Sequence, residues 1–237
     1  MPIALTDCIP MKQRLRPLGF LWLIFHGLFI AATAAAATLP ASLDFAFQIS
    51  RLDTSLNDGQ QAVSSTVKQI GITSFDMNQP TLQPGLEVGY AYISSINQPL
   101  TAGMELQGFY IAPALRGVLI DGQRLSATLT GTYLYQRVKD NNAHQAVTLE
   151  WQQPQVDLDV KCRISRKITL LLGGHYGRID VDEKISGDIS QSLTLKTGPT
   201  PGYSAGLEFD LGGDGQVGIL LRRAMGDGAE MYFQRQF

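Results

Sequence analysis

The chain has 237 residues, with 19 Lys+Arg against 21 Asp+Glu and a formal net charge of −2. Hydrophobic residues make up 44 % and charged residues only 17 %, below the roughly 25 % usual for soluble domains. This composition excludes intrinsic disorder, the slightly acidic balance speaks against a basic nucleic-acid binder, and 24 glycines without a G-X-Y period exclude collagen.

Lys12, Arg14 and Arg16 precede an apolar run from Leu18 to Ala32, and a small-residue tract, Ala31 to Ala37, follows. A basic start, an apolar middle and an A-x-A site describe a cleaved secretory signal peptide. Residues 1–37 are therefore expected to be removed before Thr38, and a retained membrane anchor is the alternative. Met11 stands directly before the basic cluster and is a candidate for the true start. The leader takes with it three basic residues, Asp7 and Cys8, so residues 38–237 carry a net charge of −4 and one cysteine, Cys162. An internal disulfide is then impossible, and no second stretch approaches the ~20 apolar residues of a spanning helix.

From residue 42 onward the pattern has period two. Leu43, Phe45, Phe47 and Ile49 alternate with polar residues, as do Leu86, Val88, Tyr90 and Tyr92. The same holds for Leu125 to Tyr135, Val156 to Cys162, and Tyr203 to Leu211. Alternation means strands with one apolar and one polar face. Gly-, Pro-, Asn- and Asp-rich breaks separate ten runs, near residues 42–54, 61–76, 85–95, 104–120, 124–138, 145–163, 167–181, 202–211, 216–223 and 229–237. Three even-numbered breaks are tight, at Asp121-Gly122, Ser165-Arg166 and Gly212 to Gly215, whereas the longest linker, Asp182 to Pro201, falls among the odd-numbered ones. Short turns on one rim and longer loops on the other fit an all-β, antiparallel up-and-down transmembrane β-barrel of about ten strands, with eight as the alternative. Pro154 is expected to mark a bulge, because apolar parity shifts from Val147/Leu149/Trp151 to Val156/Leu158/Val160.

A soluble periplasmic sandwich or lipid-binding barrel also alternates, with the apolar face inward. Three features favour the membrane form. The polar positions are Thr, Ser, Gly and Gln with little Lys. Aromatic residues, Tyr90, Tyr92, Tyr133, Tyr135, Trp151, Tyr176 and Phe209, sit toward strand ends, as interfacial girdles do. Finally, the chain ends Met231-Tyr232-Phe233-Gln234-Arg235-Gln236-Phe237.

With the leader and the alternating strands, this terminal segment resembles the small outer-membrane β-barrel proteins of Gram-negative bacteria. The resemblance implies a position in the cell outer membrane, contact with outer-membrane lipid and lipopolysaccharide, and delivery by the barrel-assembly machinery. In that class the final strand is the assembly signal, and Met231, Phe233 and Phe237 match it. Arg235 departs from the apolar residue expected there, and its long stem can snorkel at the rim.

If apolar faces meet lipid, the lumen holds Glu87, Arg116, Glu150, Asp157, Asp159, Lys161, His175, Glu208, Asp210 and Arg222. Both signs are present, and a lumen this narrow fills with side chains that pair across it. A narrow solute path is the alternative. A lipid-modifying enzyme would need a histidine base, and only His144 and His175 follow the leader. His144 stands beside Asp140 and Asn142 in a loop, and His175 among Gly173, Gly174 and Gly177, where a side chain can cross the lumen. The acidic run Asp180, Asp182, Glu183 reads as a solvated loop start before it reads as a Ca²⁺ site. No nucleophile elbow, zinc motif, phosphate loop or paired-Cys spacing occurs. The expectation is a non-enzymatic chain without cofactor or metal, serving envelope structure, surface contact or narrow solute passage.

Overall fold

The computed structural model describes residues 42–57, 62–95, 104–141, 144–188, 190–212, 214–223 and 225–237. The leader expected at residues 1–37 falls outside the described residues. The described chain is all strand and turn: β1 (Leu43–Asn57), β2 (Ala62–Asp76), β3 (Leu82–Ser95), β4 (Leu106–Asp121), β5 (Leu125–Asn141), β6 (Gln145–Arg163), β7 (Ile168–Gly177), β8 (Asp180–Gly187), β9 (Gln191–Lys196), β10 (Thr200–Gly212), β11 (Gly215–Arg223) and β12 (Gly226–Gln236). All pairings are antiparallel. The ring closes where β12 meets β1, from Asp44↔Gln236 to Thr54↔Gly226. Leu43 and Phe237 exchange backbone hydrogen bonds of 3.3 and 2.9 Å, so both ends of the barrel chain lie on one rim, here called the near rim.

Two tiers share these strands. On the near side ten strands close the ring: β1 to β7, then β10, β11 and β12. Farther out, β8 replaces β7 as the neighbour of β6, from Gln152↔Asp180 to Gln145↔Gly187. There β9 meets β1 through Asn57↔Lys196. Among the described residues the far tier therefore runs through β1 to β6, β8 and β9. The expected linker from Asp182 to Pro201 is instead the top of a hairpin, because Val181, Ile185 and Leu195 have apolar partners to cover at the far end. Arg178 N–H donates to the Pro154 carbonyl (3.3 Å) at the level where β6 changes partner.

The pleat is continuous while the chemistry of its two faces exchanges. On β1, Phe45, Phe47 and Ile49 point outward and Asp44, Gln48 and Ser50 inward. Higher on the same strand Leu52, Thr54 and Leu56 point inward and Arg51, Asp53 and Asn57 outward. No bulge separates the halves, for β1 stays in one register with β2 from Leu43↔Asp76 to Asn57↔Ala62. β6 does the same: Val147, Leu149 and Trp151 are buried inside, while Val156 and Leu158 are exposed outside. The bulge expected at Pro154 is absent, since Leu125↔Cys162 to Asn141↔Ala146 is one unbroken register. The parity shift is the exchange of faces itself. The register shifts that do occur lie near the near rim, between Val118 and Ile120 and between Asp210 and Gly212.

The far tier consequently has an apolar core. Leu56, Val63, Val67, Ile93, Leu106, Val138, Leu149, Trp151, Ile179, Val181, Leu195 and Met225 form one buried cluster. Trp151 belongs to this core at 2 % exposure and not to an outer girdle. Where the outer face of β3 turns polar, Tyr90 packs on Tyr92 and Phe109 at 5.3 and 5.1 Å between ring centroids; Tyr176 and Tyr203 are exposed on β7 and β10, while Phe45, Phe47, Phe209 and Phe233 are exposed along the apolar outer face.

Inside the near tier, large rings lie flat across neighbouring strands. Tyr110 on β4 covers Gly89 on β3 and Gly71 on β2, and Tyr232 on β12 covers Gly218 on β11. A Cβ at any of these glycines would overlap the ring. Gly218→Val is therefore expected to destabilise the barrel by about 1–3 kcal/mol, the usual cost of overpacking. Equilibrium unfolding by urea in micelles measures this, and adding Tyr232→Ala should restore the steric part of the loss.

Candidate functional site

The near tier encloses a cavity of about 360 Å³, lined by residues of β1 to β7, β11 and β12. The alternation that puts aliphatic residues outside sends the intervening polar residues into it. Six carboxylates face this interior: Asp44, Glu87, Asp157, Asp159, Glu208 and Glu230. Arg116, Lys161 and Arg222 answer them.

Three ion pairs inside the lumen result. Arg116 Nη1 lies 2.9 Å from Asp44 Oδ2, with its guanidinium 3.6 Å over the Phe75 ring. Lys161 Nζ lies 2.7 Å from Glu208 Oε2. Arg222 Nη2 lies 2.9 Å from Glu230 Oε2. Hydroxyls and amides complete the shells. Tyr232 OH donates to Glu208 Oε2 at 2.7 Å and Gln234 Nε2 to Asp44 Oδ1 at 2.7 Å. Glu87 accepts from Tyr110 OH at 2.7 Å and from Gln48 Nε2. Along β6 a ladder runs from Trp151 Nε1 to Gln153 (3.2 Å), from Gln153 to Gln155 (2.8 Å) and from Gln155 to Asp157 (2.6 Å). It joins the apolar core above to the charged interior below.

Among the described residues Glu87, Asp157 and Asp159 have no cation within ion-pair distance, so acidic groups outnumber basic ones in the interior. Arg222 stands among them along the cavity wall. His175, 8 % exposed, is the cross-strand neighbour of Asp157.

Eight of the ten expected lumen residues come together here: Glu87, Arg116, Asp157, Asp159, Lys161, His175, Glu208 and Arg222. Two do not. Glu150 lies on the outer face of the far tier, 3.7 Å from Arg137, because the faces have already exchanged at its level. Asp210 is exposed at the near-rim turn, where its Oδ1 accepts the Gly212 N–H at 2.7 Å. Asp44, Gln48, Tyr110, Glu230 and Tyr232 were missed. Each sits at inward parity, which the sequence pattern showed once the strand was assigned.

The other expected groups disperse. His144 is 78 % exposed at the far end, with Nδ1 3.3 Å from Asp188 Oδ2. Gly173 faces Ser204 Oγ and Asp159, as a glycine that admits a neighbouring side chain should. Asp180 pairs with Arg178 at 3.0 Å and Asp182 accepts from Thr194 at 2.9 Å, both outward, while Glu183 points into the core. These three acids therefore do not converge, and no group of three potential metal ligands occurs among the described residues.

No protein-family model matches the chain, and no curated protein matches it in sequence. Solved structures with a similar arrangement of strands are outer-membrane β-barrels. The outer membrane protease OmpT from Escherichia coli has 11 % identity and a TM-score of 0.47, over 85 % of this chain and 99 % of that one. The translocator domain of the autotransporter NalP from Neisseria meningitidis has 9 % identity and a TM-score of 0.45, over 93 % and 97 %. The COG4313 outer membrane channel from Pseudomonas putida F1 has 13 % identity and a TM-score of 0.41, over 84 % and 97 %. Identities this low say nothing about activity.

Glu208 is 3 % exposed, so removing its cation strands a buried charge. Lys161→Met is expected to cost about 3 kcal/mol, and Lys161→Met with Glu208→Gln much less. A double-mutant cycle on refolding into micelles checks both values.

Proposed function

We propose that this chain is an integral outer-membrane β-barrel whose lumen is sealed, and that its role is non-enzymatic surface contact through a barrel extension standing in water. The observation that supports this reading is the exchange of faces at constant register. An outer surface of Phe47, Ile49, Ile72, Leu129, Leu158, Leu207 and Ile219 is unfavourable in water and favourable in hydrocarbon. Residues 154–162 of β6 span this zone, close to the roughly 9–11 residues that a tilted membrane strand needs. Beyond it the outer face carries Arg137, Lys139, Glu150, Asp182 and Lys184, and the core moves inside, which is the arrangement of a soluble barrel.

The same core argues against solute passage. Leu56, Val67, Leu149, Trp151 and Met225 close the interior above the charged cavity, and an ion would lose its hydration there without replacement. The near rim faces the periplasm, where both ends of a bacterial barrel chain lie. Outer-membrane lipid and lipopolysaccharide are its surroundings, and the barrel-assembly machinery reads Met231 and Phe233 of β12 with Phe237 just after it. Of these, Met231 and Phe233 face outward on the closing strand.

Detergent extraction and gel mobility test the placement. The protein should stay with the envelope until detergent is added and should shift in mobility on heating, whereas release by salt or osmotic shock would overturn the reading. Within the zones, Ile219→Lys is expected to lower stability in vesicles by about 2–4 kcal/mol, and Thr148→Glu, between Lys139 and Lys184 on the outer face of the far tier, by almost nothing. Planar bilayers test the seal. The wild type should give no steady conductance, while Trp151→Gly with Leu149→Ser should open a path that prefers cations because of the surplus carboxylates. Steady conductance by the wild type would overturn the seal. His144→Ala and His175→Ala should leave lipid A and phospholipid species unchanged.

A further inference from the structure

Among the described residues the far tier has a gap in its wall. β11 and β12 end low, at Arg223 and Gly226, while β9 pairs with β1 at Asn57↔Lys196. An open notch of about 720 Å³ results, the volume of about two dozen waters. Its floor is Arg223 and Asp227, one side is Arg51, Asp53 and Ser55 of β1 with Ser64 of β2, and its roof is Lys196 and Gly198.

Three cations, Arg51, Lys196 and Arg223, and two acids, Asp53 and Asp227, line this space. Arg51 Nε lies 3.1 Å from Asp53 and Arg223 Nε 3.5 Å from Asp227. Both pairs are largely exposed, and pairs of that kind contribute only about 0–1 kcal/mol, so each guanidinium is free to turn to a stronger acceptor. Lys196 has no ion-pair partner among the described residues. Arg presents a planar fork that matches phosphate, and charge-assisted bonds to phosphate are the strong ones. Ser55 and Ser64, paired across the strands, add hydroxyls that both donate and accept, as sugar hydroxyls require.

The height of the notch selects its occupant. Arg223 follows Leu221 at the next outward position of β11, and Arg51 follows Ile49 on β1. Leu221 is 61 % exposed and Ile219 52 %. A molecule with its polar head in the notch would therefore lay an acyl chain on Leu221, Ile219 and Met231. We propose that the notch above the β11–β12 turn binds the phosphorylated sugar headgroup of an outer-leaflet glycolipid. This rests on the membrane placement proposed above. It locates the lipid contact on one side of the barrel, with the guanidiniums on the phosphate and the acyl chains on the adjoining apolar wall.

Native mass spectrometry of the full chain in detergent tests it, with bisphosphorylated lipid A as probe. Lipid A should be retained at least ten-fold better than its dephosphorylated form. Lys196→Ala with Arg223→Ala should abolish that preference, while Arg137→Ala, on the outer face of β5 and outside the notch, should leave it intact. Equal retention of both lipid forms, or a preference that survives the double substitution, would overturn the proposal. A soluble sugar phosphate that displaces lipid A at equal concentration would overturn the part assigned to the acyl chains. The heat-induced mobility shift, read on the same variants, separates these outcomes from failure of the membrane placement, because it reports the folded barrel whether or not lipid A is held.

Discussion

A β-pleat has no freedom to change which side a residue faces, since successive side chains alternate without exception while the register holds. The constraint on this molecule is that the medium outside the pleat changes partway along it. Below the tyrosine level, burial in hydrocarbon favours Phe, Ile and Leu outside, and the ring must place its polar residues within. Above that level water favours Arg, Asp, Lys and Thr outside, and the hydrophobic effect acts inward instead. Everything else in the structure follows from satisfying both demands on one set of strands without a register break.

The charged interior is a consequence of the first demand. Inward positions of the near tier cannot all be Gly, Ala and Thr, or the lumen would be hollow, and ionised groups there are tolerable only when paired and hydrogen-bonded. Asp44 with Arg116, Glu208 with Lys161 and Glu230 with Arg222 are paired in this way, Tyr232 and Gln234 add hydrogen bonds to Glu208 and Asp44, and Glu87, which has no cation at ion-pair distance, accepts from Tyr110 and Gln48. The rings of Tyr110 and Tyr232 reach their carboxylates by lying over glycines, so the sheet geometry and the polar network specify each other. The second demand yields the far core, and Trp151 joins the two: its ring packs with Leu149 and Val147, and its N–H heads the glutamine ladder that descends to Asp157.

The gap at β11 and β12 has the same origin. Those strands extend little beyond the apolar zone, so the outward edge of that zone there is met directly by Arg223, Asp227 and Arg51. The β8–β9 hairpin covers the core from above without closing the side. The ten-strand tier below and the tier of β1 to β6, β8 and β9 above share β1 to β6, and where β11 and β12 end an indentation is left at the edge of the outward apolar face.

Period-two alternation of Leu43 to Ile49, Leu125 to Tyr135 and Val156 to Cys162 determined the strands, the even meander and most of the inward residues, because parity along an extended chain is local. It also determined Glu87, Asp157, Asp159, Lys161 and Arg222 as lumen groups. What it could not determine was the side on which Val147, Leu149 and Trp151 lie relative to Val156 and Leu158. A change of parity in sequence reads the same whether a residue is inserted at Pro154 or the surrounding medium changes, and only the pairing of β6 with β5, β7 and β8 decides between them. Glu150 was misplaced for that reason. The hairpin from Asp180 to Lys196 escaped for a related one: its short alternating runs are ordinary loop composition until the apolar residues of β1 to β6 stand opposite to be covered. Which partner a strand finds is a long-range fact, and no window of sequence contains it.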